Sequence, residues 1–224
     1  MTSELAGNTI GLMLSGGLDS CILLGHLLAQ GWKVQPFFIR AGLVWEDAEF
    51  RATGRYCRAL ASANVAPPIV FEVPADDLYG EHWSTTGRGV PDAKSPDAAV
   101  FLPGRNALLT IKPLLWCAAH GIEELALGVL KSNPFPDATP AFFESYAAAL
   151  AMTGGQPVRI VRPFSGMDKY EVMLLGRDLP LGLTFCCIAP VRSRHCGRCN
   201  KCAERRAAFR LVDADDPTDY VHAS

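Results

Sequence analysis

The sequence predicts an α/β protein built on a doubly wound, mostly parallel sheet, with a small helical appendage at its C-terminal end. Strand-like and helix-like segments alternate along most of the chain. A glycine-rich turn, Ser15-Gly16-Gly17, joins the first strand to the first helix, and five of the eight cysteines crowd into residues 186–202. The alternation implies parallel strands joined by crossover helices on both faces. With 49% hydrophobic and 20% charged residues in 224, there is apolar material for a full core. The expected division is an α/β domain over residues 1–180 and a C-terminal segment over 181–224.

Each element has its own warrant. Residues 9–14 form a short apolar run ending at glycines, which reads as a buried strand. Residues 19–30 are helical in pattern, with Gly31 where a helix stops. Residues 34–39 give a second apolar strand. Residues 46–63 are amphipathic, with Phe50, Tyr56, Cys57, Leu60 and Ala61 at helical spacing. Residues 69–73 give a third strand. Residues 74–99, rich in Gly, Pro, Asp and Ser, read as a long loop of the kind used for lids or binding. Helices are expected over 106–119, 141–152 and 168–176, and strands over 124–129 and 158–161. In such a sheet ligands bind at the carboxyl ends of the strands. That rule selects the segments after residues 14, 39, 129 and 161.

Charge and hydropathy exclude some functions. A formal net charge of −2 gives no polyanion-binding surface, so nucleic acid is not an expected partner. The basic cluster Arg192, Arg194, Arg198, Lys201, Arg205 and Arg206 reads as the solvated face of a terminal helix, with a phosphate or nucleic-acid contact as the alternative. No run approaches the roughly 20 apolar residues of a membrane span. Residues 1–6 lack a basic n-region, so the expectation is a cytoplasmic chain with no membrane partner.

The segment Ser15-Gly16-Gly17-Leu18-Asp19-Ser20 follows a strand and opens a helix. Glycines there let backbone N–H groups converge on an anion, the helix N-terminus adds positive potential, and Ser15 and Ser20 add hydroxyl donors. An ordinary strand-to-helix turn with Asp19 as N-cap is the competing reading. The lysine of a Walker A loop and the spacing of a dinucleotide fingerprint are both absent.

Cys187, Cys196, Cys199 and Cys202 are spaced C-x8-C-x2-C-x2-C. Paired C-x2-C thiolates reach one ion through a tight turn, and four close a tetrahedral zinc shell with no open position, hence a structural site. An iron–sulfur cluster is the rival, although the bacterial ferredoxin run continues x3-C-P, and Glu204-Arg205-Arg206 follows here. Cys186 and His195 flank the four as alternative ligands. Cys21, Cys57 and Cys117 read as small core residues.

The Ser-Gly-Gly-x-Asp-Ser loop resembles that of the N-type ATP pyrophosphatases, of the Rossmann-like adenine nucleotide alpha hydrolase fold. The resemblance implies that residues 15–20 bind ATP and that it is cleaved between its α and β phosphates, with Asp19 near the phosphates and Mg²⁺. Lys169, opening a late helix after Pro163, matches the family's lysine. Aimed at the departing pyrophosphate, it would offset charge building there. Together with Pro103-Gly104-Arg105-Asn106, with His195-Cys196-Gly197-x-Cys199-x-x-Cys202 followed by Arg205 and Phe209, and with the closing Asp216-Pro217-Thr218-Asp219-Tyr220, this resembles the QueC family, the 7-cyano-7-deazaguanine synthases of the queuosine pathway.

That resemblance implies a carbon–nitrogen ligase. It adenylates a small-molecule carboxylate, 7-carboxy-7-deazaguanine, and lets ammonia displace AMP to give an amide that is then dehydrated to the nitrile. Arg105 and Asn106 would hold nucleotide or substrate; Asn106 as a plain helix N-cap is their bland alternative. A homodimer is the family's habit. Two segments depart from the family pattern. Arg40-Ala41-Gly42-Leu43-Val44-Trp45 replaces Tyr-Gly-Gln-Arg-His, and Thr139 stands at the arginine position of Pro-Asp-Cys-Arg. A paralogue that stops at the amide, or passes the acyl group to another amine such as a protein acceptor, is therefore the second reading; a tRNA-modifying pyrophosphatase is the third.

Overall fold

The computed structural model describes residues 8–222; residues 1–6, read above for a signal peptide, lie outside them. The elements run β1 (Thr9–Met13), α1 (Leu18–Ala29), β2 (Lys33–Arg40), α2 (Glu46–Leu60), β3 (Ile69–Glu72), α3 (Asp76–Tyr79), α4 (Trp83–Thr86), α5 (Arg105–Ala119), β4 (Glu124–Ala126), α6 (Pro140–Ala151), β5 (Arg159–Val161), α7 (Lys169–Leu175) and α8 (Asn200–Leu211). The five strands form one sheet in the order β3-β2-β1-β4-β5, every pair parallel. The order reverses between β1 and β4, where an open α/β sheet leaves a crevice at its carboxyl edge.

Two apolar layers flank the sheet. On one side Ile10, Leu12 and Leu14 pack with Ile22, Leu23 and Leu27 of α1, Val172 and Met173 of α7, and Ala208 and Phe209 of α8. On the other, Phe37 and Leu125 pack with Leu114 and Cys117 of α5 and Phe143 of α6. Fully burying such a side chain contributes roughly 1.5–3 kcal/mol, so both layers hold the sheet firmly. α8 therefore belongs to the first layer through its apolar face. No helix among the described residues is long and apolar enough to cross a membrane.

Three sequence expectations change in detail. α2 stops at Leu60, because Ala61 turns left-handed at φ 46 and caps it. The strand expected over 124–129 pairs only across Glu124–Ala126. Leu127 N–H still bonds Val161 O at 2.9 Å, and Gly128 then passes against α1. The stretch 74–99 is neither featureless nor loose. It carries α3 and α4, stacks Trp83 on Trp45 at 5.6 Å, and is tied to the C-terminal segment. In those ties Ala93 N–H donates to Arg198 O at 2.9 Å and Asn200 Nδ2 to Ser95 O at 2.8 Å.

A fourth expectation is corrected outright. Arg205 does not lie on a solvated helix face; it is 1% exposed. Its guanidinium donates to Thr218 Oγ1, to Thr184 Oγ1 at 2.7 Å and to Leu181 O at 2.9 Å, and lies over the Phe209 ring. A planar fork with five donors can satisfy several acceptors at once, so Arg205 pins α8 to the preceding turn and the C-terminal tail.

Candidate active site

A cavity of about 340 Å³ opens at the carboxyl ends of β1 and β4. Its floor is the turn between β1 and α1. Gly16 holds φ +82, and a Cβ there would lie 2.7 Å from Glu49 O and 2.9 Å from Thr53 Oγ1, so only glycine lets the turn seat on α2. Gly16 is thus a structural member of the turn, while Ser15, Gly17, Leu18, Asp19 and Ser20 face the cavity. Ser15 Oγ and Ser20 Oγ lie 3.1 Å apart, and Ser15 Oγ accepts from Gly17 N–H at 3.3 Å. The cap of α1 is Gly17 and no side chain caps it, so Asp19 is not the N-cap. The first N–H groups of α1 stay open, as helix geometry dictates. Donors of this kind at a positive helix end suit phosphate.

Asp19 lines the cavity. Lys169, the first residue of α7, reaches it across 150 residues of sequence, with Nζ 2.8 Å from Oδ1 and 2.9 Å from Oδ2. A capping box starts α7: Asp168 Oδ1 accepts from Glu171 N–H at 2.9 Å, and Glu171 Oε2 from Asp168 N–H at 2.8 Å. Burial pushes Lys169 down, but Asp19 and Glu204 together outweigh it and hold the amine above its ordinary value, firmly an ammonium.

Arg105 and Asn106 open α5 and also line the cavity. Asn106 is not the N-cap, which is Gly104. Its side-chain amide donates to Asp137 O at 2.9 Å, and its backbone N–H donates to the buried Asp137 carboxylate at 3.0 Å. Asn106 thereby joins α5 to the 3-10 turn Pro136–Ala138, and Thr139 caps α6 by accepting from Phe142 N–H at 3.2 Å. Arg105 lines the cavity, and its buried Nε has no partner among the described residues. A guanidinium with an unspent donor on a cavity wall suits an anionic or carbonyl oxygen.

The wall also carries Glu49 and Glu204, which sequence reasoning missed, and Lys201, read there only within the basic cluster. Glu49 lines the cavity, and burial raises its carboxyl to about 8, against a partial pull downward from Arg105. Lys201 and Glu204 come from α8, where Glu204 Oε2 accepts from Lys201 Nζ at 2.6 Å. The only signal for this pair was their i,i+3 spacing on the helix following Cys199. Its direction depends on how α8 docks, which no local pattern states.

The segment 40–45, singled out by its sequence, forms the outer rim. Glu46 Oε2 accepts the N–H groups of Ala41 and Gly42 at 2.8 and 2.9 Å and of Leu43 at 3.3 Å, which sets the shape of the rim. Ala41, Leu43 and Trp45 of this turn face the cavity.

Behind the cavity lie Cys187, Cys196, Cys199 and Cys202, all buried, with their sulfurs within 4.8 Å of one another. The Cys199–Cys187 and Cys196–Cys202 sulfur separations are 3.8 and 3.9 Å. A tetrahedral zinc with Zn–S of about 2.3 Å requires edges of about 3.8 Å, so the four sulfurs fit one such ion. Backbone N–H groups of Cys196, Arg198 and Gly197 point at these sulfurs from 3.2, 3.3 and 3.4 Å, the second shell that thiolates need. Cys186 and His195 stand outside the set. Cys186 lines the cavity, and His195 Nε2 accepts from its backbone N–H at 3.3 Å. Burial, with Arg205 nearby, lowers His195 to about 4, so the ring is neutral.

Residues 10–213 match the family model described as Queuosine biosynthesis protein QueC. A 7-cyano-7-deazaguanine synthase of Anaeromyxobacter dehalogenans (strain 2CP-C) is 31% identical over 225 residues, covering 94% of each chain. Another, from Methanobrevibacter smithii, is 26% identical over 223 residues, covering 93% of this chain and 96% of its own. Among solved structures, the U34-tRNA thiolase NcsA of Methanococcus maripaludis, determined with its [4Fe-4S] cluster, superposes with a TM-score of 0.50 at 17% identity. That superposition covers 93% of this chain and 74% of the thiolase, and it shows a shared fold. The chain belongs to the QueC family and is an enzyme of it.

Proposed function

We propose that this enzyme activates the carboxylate of 7-carboxy-7-deazaguanine with ATP and passes the acyl group to ammonia, ending at the nitrile. The observation that carries the reading is the Asp19–Lys169 pair at the mouth of the Ser15–Ser20 turn. It places a carboxylate and an ammonium beside open helix N–H groups, the donor set that a polyphosphate and its cation need. Asp19 would hold Mg²⁺, which when bound neutralises phosphate charge. In the first step the substrate carboxylate oxygen attacks the α-phosphorus, the bond to the β-phosphate oxygen breaks, and pyrophosphate leaves carrying the electron pair. Lys169 offsets the charge growing on that group. Ser15, Ser20 and the N–H groups of residues 18–20 bind the phosphates.

In the second step ammonia attacks the acyl carbon, AMP departs and a proton is lost, giving the amide. A second ATP activates the amide oxygen in the same way. Departure of AMP with loss of the remaining N–H protons leaves the nitrile. Arg105, with its unspent Nε donor, orients the acyl oxygens, and Asn106 holds Arg105's helix in place. Residues 1–180 supply the groups named here, and the segment 181–224 completes the cavity wall with Cys186, Lys201 and Glu204.

The test is incubation with ATP, Mg²⁺, ammonium and 7-carboxy-7-deazaguanine, read by mass spectrometry. Nitrile with AMP and pyrophosphate is the expected result. An amide or a protein adduct as end product would replace the nitrile assignment, and no AMP or pyrophosphate at all would overturn the adenylation itself. Asp19→Asn should lower AMP release by about a hundredfold or more while leaving thermal unfolding near that of the wild type.

A further inference from the structure

A second carboxylate reaches the phosphate end of the cavity, from an element with no sequence link to the Ser15–Ser20 turn. Glu204 Oε1 lies 3.5 Å from Lys169 Nζ, while its Oε2 holds Lys201 Nζ at 2.6 Å. With Asp19 on Lys169 at 2.8 Å, four alternating charges run Asp19, Lys169, Glu204, Lys201 across one wall. Asp19 and Lys169 alone would already be a neutral pair.

The extra pair has a physical consequence on the reading proposed above, in which Asp19 is engaged at the phosphate end. Lys169 would then lose its bidentate partner, and a freed ammonium on a four-carbon stem spreads over many rotamers. Glu204 remains as an anchor. Lys201 balances Glu204, so Lys169, Glu204 and Lys201 together keep a net positive charge toward a polyphosphate. α8 is well placed for this role. Cys199 is its N-cap and Cys202 lies in its first turn, so a metal held by these sulfurs would fix the start of the helix one turn from Glu204.

We propose that Glu204, carried on the metal-bearing helix, is a positioning residue that holds the Lys169 ammonium at the pyrophosphate end of the site. The proposal rests on the reading that ATP is cleaved here. An exposed i,i+3 ion pair, the bland alternative, changes almost nothing when broken.

The experiment measures turnover and affinity for a non-hydrolysable ATP analogue with Mg²⁺, on the full-length metal-loaded protein. Glu204→Gln should lower kcat for AMP release by about tenfold to a hundredfold, the scale of a misplaced catalytic group. It should also weaken analogue binding by about threefold, with zinc content and unfolding temperature unchanged. In a Lys169→Met background the same substitution should leave analogue affinity where Lys169→Met alone puts it, because Glu204 acts through Lys169. Glu204→Asp should recover part of the loss.

Wild-type turnover in Glu204→Gln, an equal loss of affinity with and without Lys169, or a loss that tracks zinc content would each overturn the proposal. Were Glu204→Gln to fold poorly, Glu204→Asp, which keeps the charge on a shorter stem, should still fall short of the wild-type kcat for AMP release; full wild-type turnover there would count against the proposal equally. A wild-type enzyme that releases no AMP would instead condemn the reading on which it rests.

Discussion

Glu49 shows how the cavity sets the chemistry of a single side chain. Its carboxyl titrates near 8 against an ordinary 4.5, chiefly because burial disfavours the anion, with Arg105 pulling back and Glu46 adding repulsion. A folded pKa above the unfolded one means that the native state binds the extra proton between about 4.5 and 8. Stability from this group is therefore complete below pH 4.5 and is lost as pH rises through 8. Glu49→Gln, always neutral, should flatten that part of the curve. Urea unfolding at pH 8.5 should find the variant more stable than the wild type by ~1–3 kcal/mol, and at pH 4 the two should converge. A wild type whose midpoint does not fall between pH 5 and 8.5 would remove the protonated carboxyl from the description of the site.

At the scale of elements, the site depends on how closely β4 and α7 approach α1. Gly128 follows β4 directly, and a Cβ there would stand 3.2 Å from Asp19 C and from Ser20 N. Those are backbone atoms of the first turn of α1, which cannot rotate aside as a side chain could. Gly128→Ala should push that turn away from the strand, with a stability loss of ~1–3 kcal/mol and AMP release falling more than stability alone explains. The capping box of α7 makes a parallel case. Asp168 starts the helix whose first residue is Lys169. Asp168→Ala should cost ~1 kcal/mol by thermal unfolding and lower kcat, with ATP affinity little changed. If kcat stayed at the wild-type value, fraying of the first turn would not reach Lys169, and its placement would come from Asp19 and Glu204 alone.

At the scale of the whole molecule, what could be read from sequence was what is local in sequence. The Ser15–Ser20 turn is six contiguous residues between a strand and a helix, and the cysteine spacing is itself the ligand geometry, so both stood out in one dimension. The alternation of strands and helices carried the sheet, including the carboxyl edge where Arg105, Gly128 and Lys169 converge. Lys169 could be singled out only through the family resemblance, since an exposed helix lysine looks the same in isolation. Glu49, Lys201 and Glu204 could not be, because a charged residue on a helix says nothing about which neighbour it will face. Arg205 was misread for the same reason: its partners Thr184, Leu181 and Thr218 come from two other segments.

On the proposed reading, the same long-range packing would let a metal held by the four sulfurs influence activity although it leaves no open position. α8 is held at its start by Cys199 and Cys202, at its middle by Arg205, and through Ala208 and Phe209 by the sheet layer. Cys202→Ser removes one ligand from a site whose binding energy is also folding energy. Zinc should fall well below the one ion per chain expected of the wild type, and the unfolding midpoint should drop by about 10 °C, at roughly 2–4 °C per kcal/mol for a chain of this size. AMP release should be lost along with it, because Lys201 and Glu204 leave the cavity wall when the start of α8 loosens. Elemental analysis, thermal unfolding and turnover on the same preparation decide the matter. A zinc-free variant that still releases AMP at the wild-type rate would show that α8 docks without its metal, and iron in place of zinc would reassign the ion.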